Sequence, residues 1–227
     1  MDYVKEHFDE IASDYDYWKK RNWYYYQNLK KIINEFVPVD KTVLEIGCGT
    51  GDILATVEPK YGIGADLSPK MIEIAKSKYN GFTNLKFHVS GEIPKRKFDF
   101  ILMIDVIEHL ENRTALFKDL QQYCDLDTKI IILMANPMWE PLLLLLEKLN
   151  LKMPEGPHYR ISYSELKKEL EVLSFVVSEH GFRQLIPYNL KFLSELINNE
   201  FYKIPFIKDF GLTEILVLEY QDENLNT

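Results

Sequence analysis

Glycine occupies every second position of the segment 47–51, directly after an apolar run that predicts a strand. Because glycine has no side chain, the backbone at Gly47, Gly49 and Gly51 can pass close to a bound ligand. A turn that binds the pyrophosphate of a dinucleotide has its third glycine one position further on, where this chain has Asp52. An acid there repels phosphate, so the turn is predicted to hold a ligand other than a dinucleotide.

Two more carboxylates accompany this turn. Glu45 precedes it, and Asp66 ends the next predicted strand. Glu45 suits the ammonium and sulfonium groups of S-adenosylmethionine, and Asp66 can accept hydrogen bonds from both ribose hydroxyls of an adenosine. Together these residues favour S-adenosylmethionine over NAD as the ligand. The alternative is that the glycines form only a tight turn and that Asp66 caps the helix that begins near Ser68.

Acids and a histidine follow the fourth predicted strand, 98–104. Ligands of open α/β sheets bind outside the carboxyl ends of the strands, so Asp105 is expected to border both the cofactor and a methyl acceptor. His109 is the candidate general base, because a neutral imidazole can accept the proton of an acceptor hydroxyl. The alternative is a structural histidine that is satisfied by backbone or by Glu108.

The same residues offer a second interpretation as a metal site. Asp105, Glu108 and His109 have the spacing that would put them on one face of a helical turn, and His158 could complete the set. Two carboxylates and two imidazoles would suit Mg²⁺, Mn²⁺ or Zn²⁺. We favour the interpretation without a metal.

The elements that must position these residues alternate along the chain. Apolar runs predict seven strands, at 42–46, 61–65, 85–89, 98–104, 129–134, 176–179 and 214–220. Helical patterns separate most of them, which predicts an α/β fold: a Rossmann-like, doubly wound, mostly parallel seven-stranded sheet.

The flanking segments are predicted to cover this sheet. We expect a single domain, 1–227, with an aromatic-rich helical cap at 1–38, a cofactor-binding core at 39–135, and lid or acceptor segments at 136–161 and 185–211. The apolar run 142–146 is open to three interpretations: it binds a hydrophobic acceptor, lies on a bilayer surface, or packs as a core helix.

Composition narrows the class of protein. The 227 residues carry a formal net charge of −8 without a long run of Lys and Arg, so nucleic acid is not the expected partner and a small-molecule acceptor is. Two cysteines, Cys48 and Cys124, and no recognisable signal peptide or membrane-spanning run predict a cytoplasmic protein. Peripheral membrane contact stays open, and the sequence does not indicate an oligomeric state.

The segments 43–52, 64–72 and 98–110 resemble the class I S-adenosylmethionine-dependent methyltransferases. The resemblance implies that the glycine turn passes under the methionine part of the cofactor, that Asp66 binds ribose and that Leu67 packs on adenine. This chain lacks the acid that the family usually has after the third strand. After the third strand this chain has Ser90, Gly91 and Glu92 instead, and each of them is a candidate for the adenine contact.

The N-terminal segment resembles the part of many methyltransferases that folds over the cofactor, which implies that Tyr15 contacts the methionine end. The remaining predicted cofactor contacts are Glu45, Gly47, Cys48, Gly49, Gly51, Met71, Ile104 and Asp105.

The acid and histidine spacing also resembles the metal-binding motif of ubiquinone-biosynthesis O-methyltransferases and of small-RNA 2′-O-methyltransferases, with Asp105 in place of a longer acid. The predicted activity is methyl transfer to a hydroxyl of a glycan, quinone or lipid-linked compound. The alternatives are an RNA or protein methyltransferase and a cofactor-binding module without catalysis.

Overall fold

The computed structural model describes residues 2–154, 156, 158–159 and 161–221. Residue 1 of the predicted cap, residues 155, 157 and 160 of the first predicted lid segment, and residues 222–227 lie outside the described part. The strands are β1 (Thr42–Ile46), β2 (Tyr61–Asp66), β3 (Leu85–Val89), β4 (Phe100–Ile104), β5 (Lys129–Ala135), β6 (Phe175–Arg183) and β7 (Thr213–Tyr220). The α-helices are α1 (Asp2–Arg21), α2 (Trp23–Phe36), α3 (Asp52–Thr56), α4 (Pro69–Lys78), α5 (Arg113–Leu120), α6 (Glu140–Lys148), α7 (Tyr163–Glu171) and α8 (Phe192–Glu200).

The seven strands form one sheet in the order β3-β2-β1-β4-β5-β7-β6. The first five strands in this order pair in parallel, and β7 runs antiparallel to both of its neighbours. The predicted fold class, a Rossmann-like and mostly parallel sheet, is therefore confirmed. Helices α1 and α2 occupy the predicted cap, and α6 and α8 occupy the two predicted lid segments.

The central strands are buried on both faces, which explains why they appear in the sequence as continuous apolar runs. One face packs against α5 and α7, through Phe117 and Leu166. The other packs against α2, α3 and α4, through Leu29, Leu54 and Ile72. This burial fixes the sheet and holds the carboxyl ends of β1, β2 and β4 side by side.

Two predicted strand boundaries differ from the observed ones by more than one residue. Strand β4 begins at Phe100 and not at residue 98, because Asp99 turns its carboxylate to the backbone N–H and the hydroxyl of Thr42, both at 2.7 Å. Strand β6 continues to Arg183, well beyond residue 179. As the edge strand, with a register shift between Val177 and Glu179, it carries exposed polar residues that hide its length in the sequence.

Candidate active site

The predicted site residues come together where the order of the strands reverses. Strand β1 lies between β2 and β4, and all three are parallel, so the residues that follow them meet at one edge of the sheet. The glycine turn follows β1, Asp66 ends β2, and Asp105 follows β4. The parallel pairing thus brings together residues that are far apart in the sequence.

The glycine turn adopts a backbone that requires glycine. Gly47 has a φ of +72°, and a Cβ on it would stand 2.3 Å from Cγ2 of Val106. The N–H groups of Gly47 and Cys48 both donate to the carbonyl of Ala65, at 2.7 and 3.0 Å. The turn is therefore tied to the end of β2, and a ligand over it would meet bare backbone.

Asp66 is held from two sides. Its Oδ2 accepts from the N–H of Gly49 at 2.8 Å, and its Oδ1 accepts from the N–H of Ser68 at 2.9 Å. Burial raises the pKa of this carboxyl, although the backbone hydrogen bonds act in the opposite direction. The residue that caps α4 is Ser68, whose hydroxyl oxygen accepts from the N–H of Met71. Asp66 therefore links the turn to the start of α4 and also lines the cavity described below.

Glu45 is almost fully buried beneath the turn. Its Oε2 accepts from the N–H of Leu54 at 2.9 Å, and burial raises its pKa to about 8. At neutral pH most of this carboxyl group is therefore protonated in the ligand-free protein. A cation bound beside it would favour the ionised form.

Asp52 forms ion pairs with two lysines, which corrects the expectation that its carboxylate repels phosphate. Its carboxylate contacts the ammonium groups of Lys19 and Lys78, the latter at 2.8 Å, and accepts from the hydroxyl of Tyr79 at 2.9 Å. Burial opposes its ionisation, but the two lysines outweigh burial and lower the pKa of Asp52. Its charge is balanced locally, so Asp52 by itself does not make the turn repel anions.

Two cavities of similar size meet over the turn. The polar cavity, about 330 Å³, has charged walls, and the apolar cavity, about 310 Å³, has mainly hydrophobic ones. The polar cavity is lined, among others, by Asp16, Lys19, Glu45, Cys48, Asp52 and Lys78. The apolar cavity is lined, among others, by Phe8, Asp66, Leu67, Met71, Ser90 and His109. Residues common to both are Tyr15, Tyr26, Gly47, Ile104 and Asp105.

Most predicted cofactor contacts therefore line one of these two cavities. Gly51, Gly91 and Glu92 are not among the described residues that line them. A Cβ on Gly51 would meet the ring of Phe87 at 2.7 Å, so this glycine serves packing behind the turn. Of the three candidates for the adenine contact, the structure brings only Ser90 to a cavity wall.

Asp105 and His109 do not share a helical turn, contrary to the prediction. Asp105 has a φ of +53°, a left-handed backbone that ends the extended strand, and the short 3₁₀ helix begins only at Ile107. His109 is buried, and its ring makes edge contacts with Phe8 and His158 at centroid distances of 5.4 and 4.9 Å. Within the described residues, no group of three or more His, Cys, Asp and Glu side chains is arranged to hold a metal ion.

A third space, the outer cavity of about 70 Å³, opens beside Asp105. The hydroxyl of Tyr25, on α2, donates to Oδ2 and Oδ1 of Asp105 at 3.3 and 3.4 Å. Apolar residues of α6 and of the second lid segment form much of the wall, including Leu143, Leu146, Pro187 and Tyr188. Asp105 lines all three cavities.

Lys19, Tyr25 and Lys78 line these cavities but are not among the site residues predicted from the sequence. Tyr25 lies within a run of three tyrosines, and neither lysine belongs to a motif. Lys19 of α1 and Lys78 of α4 contact Asp52 at the start of α3, and Tyr25 of α2 contacts Asp105 after β4. These contacts join segments that are far apart in the chain, so the sequence carries no local signal for them.

The lid segments expose many apolar side chains. On α6 these include Leu142 and Leu145, and in the second lid segment Phe192 and Phe206 are 75% and 83% exposed. In the described part of the chain, no helix combines the length and apolar character that crossing a bilayer requires.

Comparison with known proteins gives one family. A family model described as a methyltransferase domain matches residues 17–180. A tRNA (carboxymethyluridine(34)-5-O)-methyltransferase of Schizosaccharomyces pombe is 27% identical over 121 residues, which are 53% of this chain and 50% of that protein. The chain spans about half the length of the curated relatives it matches.

Solved structures share the fold. A possible histamine N-methyltransferase of Thermotoga maritima superposes with a TM-score of 0.69 at 17% identity, over 96% of this chain and 100% of that one. The magnesium protoporphyrin IX methyltransferase of Synechocystis PCC 6803, solved with bound S-adenosylhomocysteine, gives 0.66 at 17% identity, over 96% and 98%.

Proposed function

Because the chain belongs to the class I S-adenosylmethionine-dependent methyltransferases, we propose that it methylates an oxygen atom of a small, largely apolar acceptor. The observation that carries this proposal is the position of Asp105. It stands at the junction of the two cavities over the glycine turn and the outer cavity between α2, α6 and the second lid segment.

The two larger cavities match the two ends of the cofactor. The methionine part carries an ammonium and a carboxylate and fits the charged walls of the polar cavity. The adenosine part fits the apolar cavity, where Asp66 would accept from the ribose hydroxyls and Leu67 and Met71 would pack on adenine. In this placement Gly47 and Asp105, which line both cavities, would lie next to the sulfur.

The outer cavity supplies the path for the acceptor. Its walls from Leu143, Leu146 and Tyr188 favour an apolar body, and its inner end carries the Tyr25 hydroxyl and the Asp105 carboxylate. An acceptor that enters from this side presents a polar group to the cofactor and keeps its apolar part among the lid residues.

Methyl transfer at this junction needs an acceptor oxygen in line with the methyl group and the sulfur. A cofactor held over the glycine turn would supply the methyl group: the acceptor oxygen would form the new C–O bond as the C–S bond breaks, and the electron pair of the C–S bond would stay on sulfur. The hydroxyl proton passes to a base. Asp105 lines the outer cavity and His109 lines the apolar one, so we assign the proton to Asp105, and His109 stays the alternative base.

Transfer to tRNA is the second candidate function, because a curated relative is named as a tRNA methyltransferase. The acidic net charge of −8 and the apolar walls of the outer cavity favour the small acceptor. The exposed apolar residues of both lid segments lie in the same segments as those walls, so we propose that the acceptor is delivered from a lipid phase.

Transfer of an isotope-labelled methyl group distinguishes a small apolar acceptor from tRNA. The protein is incubated with methyl-labelled S-adenosylmethionine and a cell extract that is afterwards separated into organic-soluble, small aqueous, RNA and protein fractions. We expect label in the organic-soluble fraction, with a rate of labelling about 100-fold lower for the variant Asp105→Asn. Label confined to RNA would establish the second candidate and contradict the proposal.

A further inference from the structure

Five side chains form a closed ring of polar contacts beside the polar cavity, and four of them, Asp16, Lys19, Asp52 and Lys78, line it. Lys19 contacts Asp52, and its Nζ is 3.1 Å from Oγ1 of Thr50. Lys78 is 2.8 Å from Asp52 and 2.7 Å from Asp16, and the Thr50 hydroxyl donates to Asp16 at 2.6 Å. The ring joins α1, the glycine turn, α3 and α4, and its two positive and two negative charges balance.

Lys19 has the position of a ligand-binding residue within this ring. Its side chain is 13% exposed, against 32% for Lys78, and its ammonium lies 4.9 Å from the centre of the Tyr15 ring. Among the described lysines that line the polar cavity, Lys19 alone has a hydrogen bond to the glycine turn, through Thr50.

The hydrogen-bonding capacity of Lys19 exceeds what the ring uses. An ammonium has three N–H donors, and Asp52 and Thr50 account for two. The nearest oxygen of Asp16 is 3.9 Å away, beyond hydrogen-bond distance. A third donor can therefore bind an oxygen of a molecule in the polar cavity, while Asp52 and Thr50 keep the ammonium in place.

We propose that Lys19 binds the carboxylate of the methionine part of the cofactor, with Asp52 and Thr50 as its positioning residues. This assignment rests on the proposed placement of the cofactor across Gly47. The methionine part has one negative group, and Lys19 is a partly buried cation that lines the cavity assigned to the methionine part. Lys78 holds the acids of the ring from the opposite side and has a structural role.

The test compares two ligands that differ only in the carboxylate. Calorimetry measures the binding of S-adenosylhomocysteine and of S-adenosyl-3-thiopropylamine, which lacks that group, to the wild type and to Lys19→Met. We expect the substitution to lower the affinity for S-adenosylhomocysteine at least ten-fold and the affinity for the second ligand less than three-fold. The matched control Lys78→Met breaks ion pairs with the same Asp52 and changes the affinity for both ligands by the same factor.

Each other outcome overturns the assignment. Equal weakening of both ligands by Lys19→Met means that Lys19 only supports α1, and an unchanged affinity means that it does not reach the ligand. If Lys19→Met does not fold, as judged by circular dichroism, Lys19→Gln carries the same test, since it also removes the positive charge. Failure of the wild type to bind S-adenosylhomocysteine would contradict the placement of the cofactor itself.

Discussion

The ring of Tyr15 lies against Gly49, so that a Cβ added to Gly49 would stand 3.0 Å from Cε1 of the tyrosine. Tyr15 also lines both cavities over the turn. Helix α1 and the glycine turn therefore form one wall, which is held further by the contact between Asp9 of α1 and the hydroxyl of Ser68 at 2.5 Å. Helix α1 therefore forms part of the wall of both cavities and does not only support the sheet.

Replacement of Gly49 by Ala should damage both stability and binding. Gly49 has a φ of +50°, where a side chain costs about 1–2 kcal/mol, and the added Cβ presses on Tyr15. We expect urea unfolding to show a loss of about that size, together with weaker binding of S-adenosylhomocysteine. Gly81→Ala is the matched control, because a Cβ there meets nothing within 4 Å. If Gly49→Ala bound S-adenosylhomocysteine as tightly as the wild type does, Tyr15 and the turn would not be contacts of the cofactor.

Asp66→Ala tests the ribose contact. Removal of a carboxylate that accepts hydrogen bonds from ribose hydroxyls should lower the affinity for S-adenosylhomocysteine roughly ten-fold or more. The 2′,3′-dideoxy analogue of that ligand cannot make these bonds, so calorimetry should find its affinity nearly the same in wild type and variant. An equal loss for both ligands would show that Asp66 acts only by tying Gly49 and Ser68 together.

Glu45 should make the stability of the ligand-free protein depend on pH. Burial raises its pKa from 4.5 to about 8, so between these values the folded state binds more protons than the unfolded state. The free energy of unfolding therefore falls as pH rises through this range. Urea unfolding at pH 5.5 and 8.5 should show a smaller fall for Glu45→Gln than for wild type, whereas Glu73→Gln, at an exposed position, should behave like wild type. Identical falls in all three proteins would exclude an influence of Glu45.

Asp105→Asn separates the two candidate bases. Asn tolerates the left-handed backbone at this position, so the variant should fold. We expect its turnover number to drop about 100-fold or more with little change in the KM for S-adenosylmethionine. The fall in activity on the acidic side of the pH profile, where the base is protonated, should be lost. His109→Gln should retain most of the activity. The reverse pattern would make His109 the base and leave Asp105 as a structural residue.

Chelation tests the alternative metal site. The described residues provide no group of three metal-binding side chains near His109, so dialysis against EDTA should leave methyl transfer and the melting temperature unchanged. Loss of activity on dialysis, restored by Mg²⁺ or Zn²⁺, would bring back the interpretation in which Glu108 and His158 hold an ion.

The sequence by itself determined the strands, their alternation with helices and the positions of Gly47 and Asp66. These features depend on local patterns: apolar runs predict buried strands, and glycines with a positive φ and a helix cap such as Ser68 are signals within a few residues. Only the tertiary structure decided how the charges are paired and which groups face the acceptor. Lys19 neutralises Asp52, and Tyr25 meets Asp105, through contacts between segments that are distant in the chain. Such contacts depend on how α1 packs beside α4 and the glycine turn and on how α2 packs on the sheet, and no residue spacing in the sequence indicates this packing.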